Sequence, residues 1–219
     1  MLERVGFIEM QHIMRQHDLG DRRATAALAK GDLSAALTHY ADKGAIHFSR
    51  DNEKARSQLI DTWSTSIKTA DTLANHLILT HQNSDVTVLN AAARQSLKAK
   101  GLLEQADHWV ATDRGKLAIS EGERLLFLRN DRHLGVNNGS FGTVIALDRH
   151  QLTVSLDGTD KHITFSPEDY QYFTHGYAAT THKSQGATRD HVFVLASQYF
   201  DRYLSYVAFS RHRQTLNIF

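Results

Sequence analysis

Two polar clusters close to the C-terminal end of the chain combine residue types suited to holding an anion. The first, Tyr177-Ala-Ala-Thr-Thr-His-Lys-Ser-Gln-Gly186, opens as an apolar, strand-like segment and ends in hydroxyl, imidazole, ammonium and amide groups. Such a density of hydrogen-bonding side chains rarely serves packing, and donors of this kind match phosphate oxygens. The second, Tyr206-Val-Ala-Phe-Ser-Arg-His-Arg213, follows Leu204. Leu204, Val207 and Ala208 have helical spacing, which sets Arg211 and Arg213 where a helix C-terminus favours cations. Their guanidinium groups offer planar, bidentate contact to phosphate. Taken alone, His182 reads as a structural histidine with its partners inside the fold.

The elements that must carry these clusters are legible along the chain. Glu3 to Arg15 is apolar and predicts a strand, ending at Arg15-Gln16. Leu33, Ala36, Leu37, Tyr40 and Ala41 form a helical stripe, with Asp32 as N-cap, Gly44 as stop and Gly31 separating a preceding helix, so the region predicts a helical hairpin. Asn52 to Thr69 predicts an amphipathic helix with Leu59, Ile60, Trp63 and Ile67 on one side. His76-Leu-Ile-Leu-Thr80 suits a buried parallel strand. Ser84 to Lys100 predicts a helix with Val86, Leu89, Ala93 and Leu97 inward. Thr80, Gln82 and Asn83 then fall at the edge where open α/β sheets bind ligands, or simply cap the following helix.

After Ala106 the pattern changes. Arg124 to Leu128, Thr143 to Leu147, Gln151 to Leu156 and Lys161 to Phe165 are short β-type runs, separated by turn signals at Asp148-Arg-His and Asp157-Gly-Thr-Asp. They predict antiparallel hairpins inserted into an α/β domain. The loop Asn130 to Gly139 offers Arg129, Arg132 and His133 at its start and reads as a solvated turn or a nucleic-acid contact.

Composition narrows the function classes. The chain has 219 residues, 41% of them hydrophobic, enough for a sizeable core. It has no cysteine, which removes disulfides, thiolate nucleophiles and cysteine metal sites. Its fourteen histidines stand singly, so no metal site is expected. No run approaches the roughly 18 apolar residues of a membrane span, and no secretory leader opens the sequence, so a cytoplasmic protein without membrane contact is expected. The formal net charge of +1 lacks the strong basic bias of an autonomous nucleic-acid binder and leaves room for a local basic groove.

The clusters at 177–186 and 206–213 resemble motifs V and VI of superfamily 1 helicases of the RecD-like branch, which carry Thr-x-His-Lys-Ser-Gln-Gly and Tyr-x-Ala-x-(Thr/Ser)-Arg elements in this order. The helical hairpin followed by Gly44-Ala-Ile-His-Phe48 is also similar to Ti-plasmid-type conjugative relaxase-helicases. The resemblance implies an α/β fold: a RecA-like parallel-sheet lobe of the P-loop NTPase type (lobe 2A) over residues 1–116 and 173–219, interrupted by a small SH3-like β-barrel (2B) over 117–172. It makes Arg211 the arginine finger of motif VI and Arg15 the phosphate-reaching arginine of motif IV. It places Gln185, Gly186, Gln16 and Arg213 by the nucleotide, and Thr80, Thr181, His182 and Lys183 by DNA. Thr188 stands where many relatives have an acidic residue for the ribose.

The implied ligands are ATP with Mg2+, and single-stranded DNA. No Gly-x-x-x-x-Gly-Lys-Thr loop and no magnesium-binding acid pair is present in the sequence. In relatives these lie on an N-terminal RecA-like lobe, with a relaxase domain further upstream, so the chain is expected to be the C-terminal half of a motor that needs both as partners. Two other readings remain open: a non-catalytic interaction module on a degenerate helicase fold, and a lobe of a RecD-type repair helicase.

Overall fold

The run His76–Thr80 is buried at every position and forms strand β1, the inner strand of a parallel sheet. The computed structural model describes residues 15–219; the strand expected over Glu3 to Arg15 lies, apart from Arg15, outside the described residues. The sheet is four-stranded with the order β11-β10-β1-β9. Its other members are β9 (Ala178–Thr180), β10 (Arg189–Val194) and β11 (His212–Ile218), each parallel to its neighbour.

The sheet is covered on both faces, as a parallel sheet requires. Alternation along the strands sends Leu77, Leu79, Val192 and Val194 to one side, against α1 (Leu19–Lys30), α2 (Leu33–Asp42) and α5 (Arg202–Phe209). Ile78, Phe193 and Ala178 point the other way, against α3 (Asn52–Ser66) and α4 (Asn83–Ala99), with Leu59, Trp63, Leu89, Ala93 and Leu97 buried among them. The helical hairpin is formed as expected: Asp32 Oδ1 accepts from the Ala35 amide at 3.0 Å to start α2.

Between α4 and β9 lie the expected antiparallel strands. They are β4 (Arg124–Phe127), β5 (Phe141–Leu147), β6 (Leu152–Leu156), β7 (His162–Phe165) and β8 (Phe173–His175), in a five-stranded sheet of order β7-β6-β5-β4-β8. They enclose a separate core of Leu125, Phe127, Val144, Val154, Phe165 and Phe173. No pairing joins β7 to β8 among the described residues. A further hairpin, β2 (His108–Thr112) and β3 (Gly115–Ile119), precedes this sheet and was not marked by the sequence pattern.

Candidate phosphate-binding site

Helix α5 starts on Asp201, whose Oδ1 accepts from the Leu204 amide at 2.7 Å, and ends at Phe209. Ser210 caps it and β11 begins at His212, so Arg211 sits in the short turn between helix and strand. Arg213, expected beside the helix end, lies instead on β11, exposed and paired with Asp190 at 3.0 Å.

Residues 15 and 16 reach this turn from the far end of the chain. Arg15 Nη1 donates to the Ser210 carbonyl at 2.8 Å. Gln16 Nε2 donates to the carbonyls of Ser210 and His212 at 3.1 and 3.2 Å, and Gln16 is fully buried. Arg15 and Arg211 therefore lie side by side. The arginine ion pairs among the described residues belong to Arg56, Arg94, Arg124, Arg189 and Arg213, so neither of this couple has a carboxylate partner. Burial, then the neighbouring charge of Arg15, lowers the pKa of Arg211, whose buried Nε has no hydrogen-bond partner.

The loop after β9 is built from inside. Asn90 of α4 holds its base: Oδ1 accepts from the amides of Tyr177 and Ala178 at 3.0 and 2.9 Å, and Nδ2 donates to the Ala178 carbonyl at 3.1 Å. The Thr181 amide and hydroxyl both donate to the Thr80 carbonyl, at 2.9 and 3.2 Å. Ser184 Oγ donates to the Thr181 carbonyl at 2.8 Å. Thr80, Thr181 and Ser184 are buried. Thr80 stands at the end of β1 as expected, yet its hydroxyl faces Asp85 in the first turn of α4 at 3.4 Å rather than solvent. Gln82 is the residue preceding α4 and makes no side-chain cap bond.

His182, Gln185 and Gly186 form the exposed part of the loop. His182 makes no side-chain hydrogen bond among the described residues, so it is not a histidine satisfied within the core. Gly186 has φ 88°, a left-handed conformation that a side chain disfavours, so glycine is needed to turn the chain back toward the sheet. Lys183 is half-buried, and desolvation, then the charge of Arg114, lowers its pKa.

The loop ends on Arg189, whose amide donates to the Arg211 carbonyl at 3.0 Å, so the two polar clusters are joined through their backbones. Sequence reasoning missed Arg189 and its partner Asp157. Arg189 Nη2 donates to Asp157 Oδ2 at 2.6 Å, and Asp157 also accepts from Arg124. The Asp157-Gly turn signal was legible; its distant partner was not. The insert touches the loop at Gly139 as well, where a Cβ would lie 2.9 Å from the Lys183 carbonyl. A cavity of about 520 Å³ separates Asn137 to Phe141 of the insert from Gln185 to Arg189. Arg129, Arg132 and His133 are exposed on a turn that Asp131 organises by accepting from the amides of His133 and Leu134 at 2.9 Å.

Residues 120–219 match the viral superfamily 1 RNA helicase core domain, a stretch that contains the insert and both polar clusters. Conjugal transfer protein TraA of Agrobacterium fabrum is 35% identical over 100% of the chain. TraA of Rhizobium radiobacter is 36% identical over 99% of the chain. Over residues 120–219 the chain resembles the superfamily 1 helicase core, and over its whole length it resembles TraA. It spans 20% of the length of those TraA relatives. The ATP-dependent DNA helicase Pif1 of Bdellovibrio bacteriovorus is 35% identical over 112 residues, 45% of the chain and 26% of that protein. The fold is that of Bacteroides Pif1 bound to single-stranded DNA, at TM-score 0.65 and 20% identity over 99% of the chain and 53% of Pif1. Likeness of fold thus covers the α/β layer as well as the motif-bearing half. No described helix is long and apolar enough to cross a membrane.

Proposed function

We propose that the chain is the second RecA-like lobe, residues 1–116 and 173–219, with an SH3-like insert over 117–172, of an ATP-dependent single-stranded-DNA translocase used in conjugative transfer. One observation carries the reading: two adjacent arginines, Arg15 and Arg211, partly desolvated and without any carboxylate partner among the described residues. Two like charges held together in a low dielectric are unfavourable unless an anion joins them. A nucleotide phosphate fits that need, including the orphaned Nε of Arg211.

Magnesium fits less well here. The candidate cluster among the described residues is Asp18, Asp21 and His39, and the Lys43 ammonium already lies 2.8 Å from Asp21. The metal and most nucleotide contacts are assigned to an N-terminal lobe of a longer protein, with a relaxase domain beyond it. When bound, ATP supplies the phosphoryl group whose transfer spreads negative charge over its oxygens; positioned cations stabilise that charge.

In this scheme Arg211 touches the phosphates as the finger and Arg15 supports it. Gln16 holds the turn that aims both. Gln185, Gly186 and Arg213 face the nucleotide side. His182 and Lys183 meet the DNA backbone, while buried Thr80 and Thr181 act by fixing the loop that carries them. One loop bonded at its end to the Arg211 carbonyl and open at His182 couples nucleotide state to grip on DNA. The TraA relatives favour conjugation over a repair role, and the unpaired arginines favour a motor over a passive module.

The test uses the complete parent protein. Arg211→Ala is expected to lower ATP turnover roughly a thousandfold or more while leaving nucleotide binding largely intact. Unchanged turnover removes the arginine from the mechanism and the motor reading with it.

A further inference from the structure

The cavity of about 550 Å³ beside the loop shares only Lys183 with the roles assigned above. Its floor is β9, with Ala179 and Thr180; one wall is α4, with Asn83 and Thr87; the opposite wall is the β2–β3 hairpin. Strand alternation decides what that hairpin presents. Val110 and Leu117 pack toward the core of the insert. Trp109 lies opposite Ala118, and Lys116 opposite Ala111, which puts Trp109 and Lys116 on the other face, lining the cavity. Trp109 is 68% exposed, against 0% for Trp63.

An indole left in solvent at the edge of a groove offers an aromatic face on which a base can stack. The charges agree. Arg94 and Lys98 on the α4 wall are bound by Asp107 and Glu123. Arg114, Lys116 and Lys183 line the same cavity with no carboxylate in ion-pair contact among the described residues, and the first and last are close enough to repel. Cations without an ion-pair contact flanking an exposed aromatic ring are the pattern of a single-strand site, where bases stack and phosphates meet ammonium and guanidinium groups.

We infer that the groove between α4 and the β2–β3 hairpin is a nucleotide subsite for single-stranded DNA: Trp109 stacks on a base, and Arg114, Lys116 and Lys183 take the adjoining phosphates. This rests on the DNA-translocase reading and extends the grip from the loop at His182 to a wall that the sequence pattern did not reveal. Because Trp63 is buried, Trp109 also supplies the signal.

The experiment titrates the chain with oligo-dT at low salt, following quenching of tryptophan fluorescence and, in parallel, anisotropy of labelled oligo-dT. Wild type is expected to show quenching on binding. Trp109→Ala is expected to weaken binding roughly tenfold or more, with Trp109→Phe restoring most of it. Lys116→Ala and Arg114→Ala should each reduce the dependence of log K on log salt by about 0.7. These side chains are exposed, so circular dichroism should report an unchanged fold. Binding of Trp109→Ala at wild-type strength, or no binding of oligo-dT by the chain, overturns the inference. His182→Ala separates the two ideas. If it weakens binding while Trp109→Ala does not, the loop grips DNA and the groove does not; the reverse keeps the groove and removes the loop.

Discussion

Two arginine centres in this molecule use the same chemistry to opposite ends. Around Arg94, every charge is answered. Its Nε donates to Glu123 at 2.8 Å and its Nη2 to Asp107 at 2.6 Å, while Glu123, 0% exposed, also accepts from the Tyr177 hydroxyl and the Ser120 amide. That network ties α4 and the base of β9 to the entry of the insert. Around Arg211, no carboxylate among the described residues answers: its companion is another arginine, Arg15, which donates to the Ser210 carbonyl, and its own Nε has no partner. A closed network fixes a junction, whereas an open one has charge to offer a ligand.

The closed centre should therefore break on losing either charge. Glu123→Ala leaves Arg94 largely buried with Asp107 as its one remaining carboxylate, and removal of one member of a buried pair costs about 3–5 kcal/mol. Urea denaturation of the chain is expected to show that loss, with the junction between insert and lobe opening first by hydrogen exchange at β8 and β9. A variant as stable as wild type would mean that the network adds nothing at the junction.

A second closed cluster sharpens the comparison through pH. Asp21 is buried in α1, and burial alone would raise its pKa. The His212 imidazole 3.4 Å away, with hydrogen bonds from Lys43 and His39, outweighs that cost and holds the carboxyl well below the ordinary range. A depressed carboxyl contributes stability that is fully present above its unfolded value near 4 and is lost as pH falls below it. Asp21→Asn is expected to lose roughly 2 kcal/mol at neutral pH and to flatten the acid limb of the stability curve below about pH 4. An acid limb identical to wild type would place the acid sensitivity elsewhere.

The contrast also explains how much the sequence disclosed. Apolar period and caps are local, so β1 at His76–Thr80, the start of α2 at Asp32 and the strands of the insert were readable. Motif spacing singled out Arg211 and the loop at 177–186, which the fold joins through the Arg189 amide. Partners far apart in sequence were not readable: Asn90 beneath Tyr177, Glu123 beneath Arg94, and Asp157 holding Arg189 each depend on the tertiary fold. The β2–β3 hairpin escaped because His108-Trp-Val-Ala-Thr112 has one bulky exposed residue and little alternation. Burial reassigned Thr80 and Thr181 in the same way, since a hydroxyl type says nothing about which way it faces.

The smallest expected effect is the most diagnostic of the open centre. If Arg211 is held for a ligand, the folded chain gains nothing from its charge and is opposed by Arg15 beside it. Arg211→Met keeps the length and apolar stem of the side chain, removes the repulsion, and strands no carboxylate among the described residues, because none of them is paired with it. Replacing a half-buried, uncompensated charge by a similar apolar volume is neutral or stabilising, here by about 0–1 kcal/mol. Equilibrium unfolding of the chain should show an unchanged or higher midpoint, at the same residue whose loss is expected to lower turnover in the parent protein. A loss approaching that of Glu123→Ala would mean that Arg211 is structural after all, with a partner that forms in solution, and the distinction between the two arginine centres would fall.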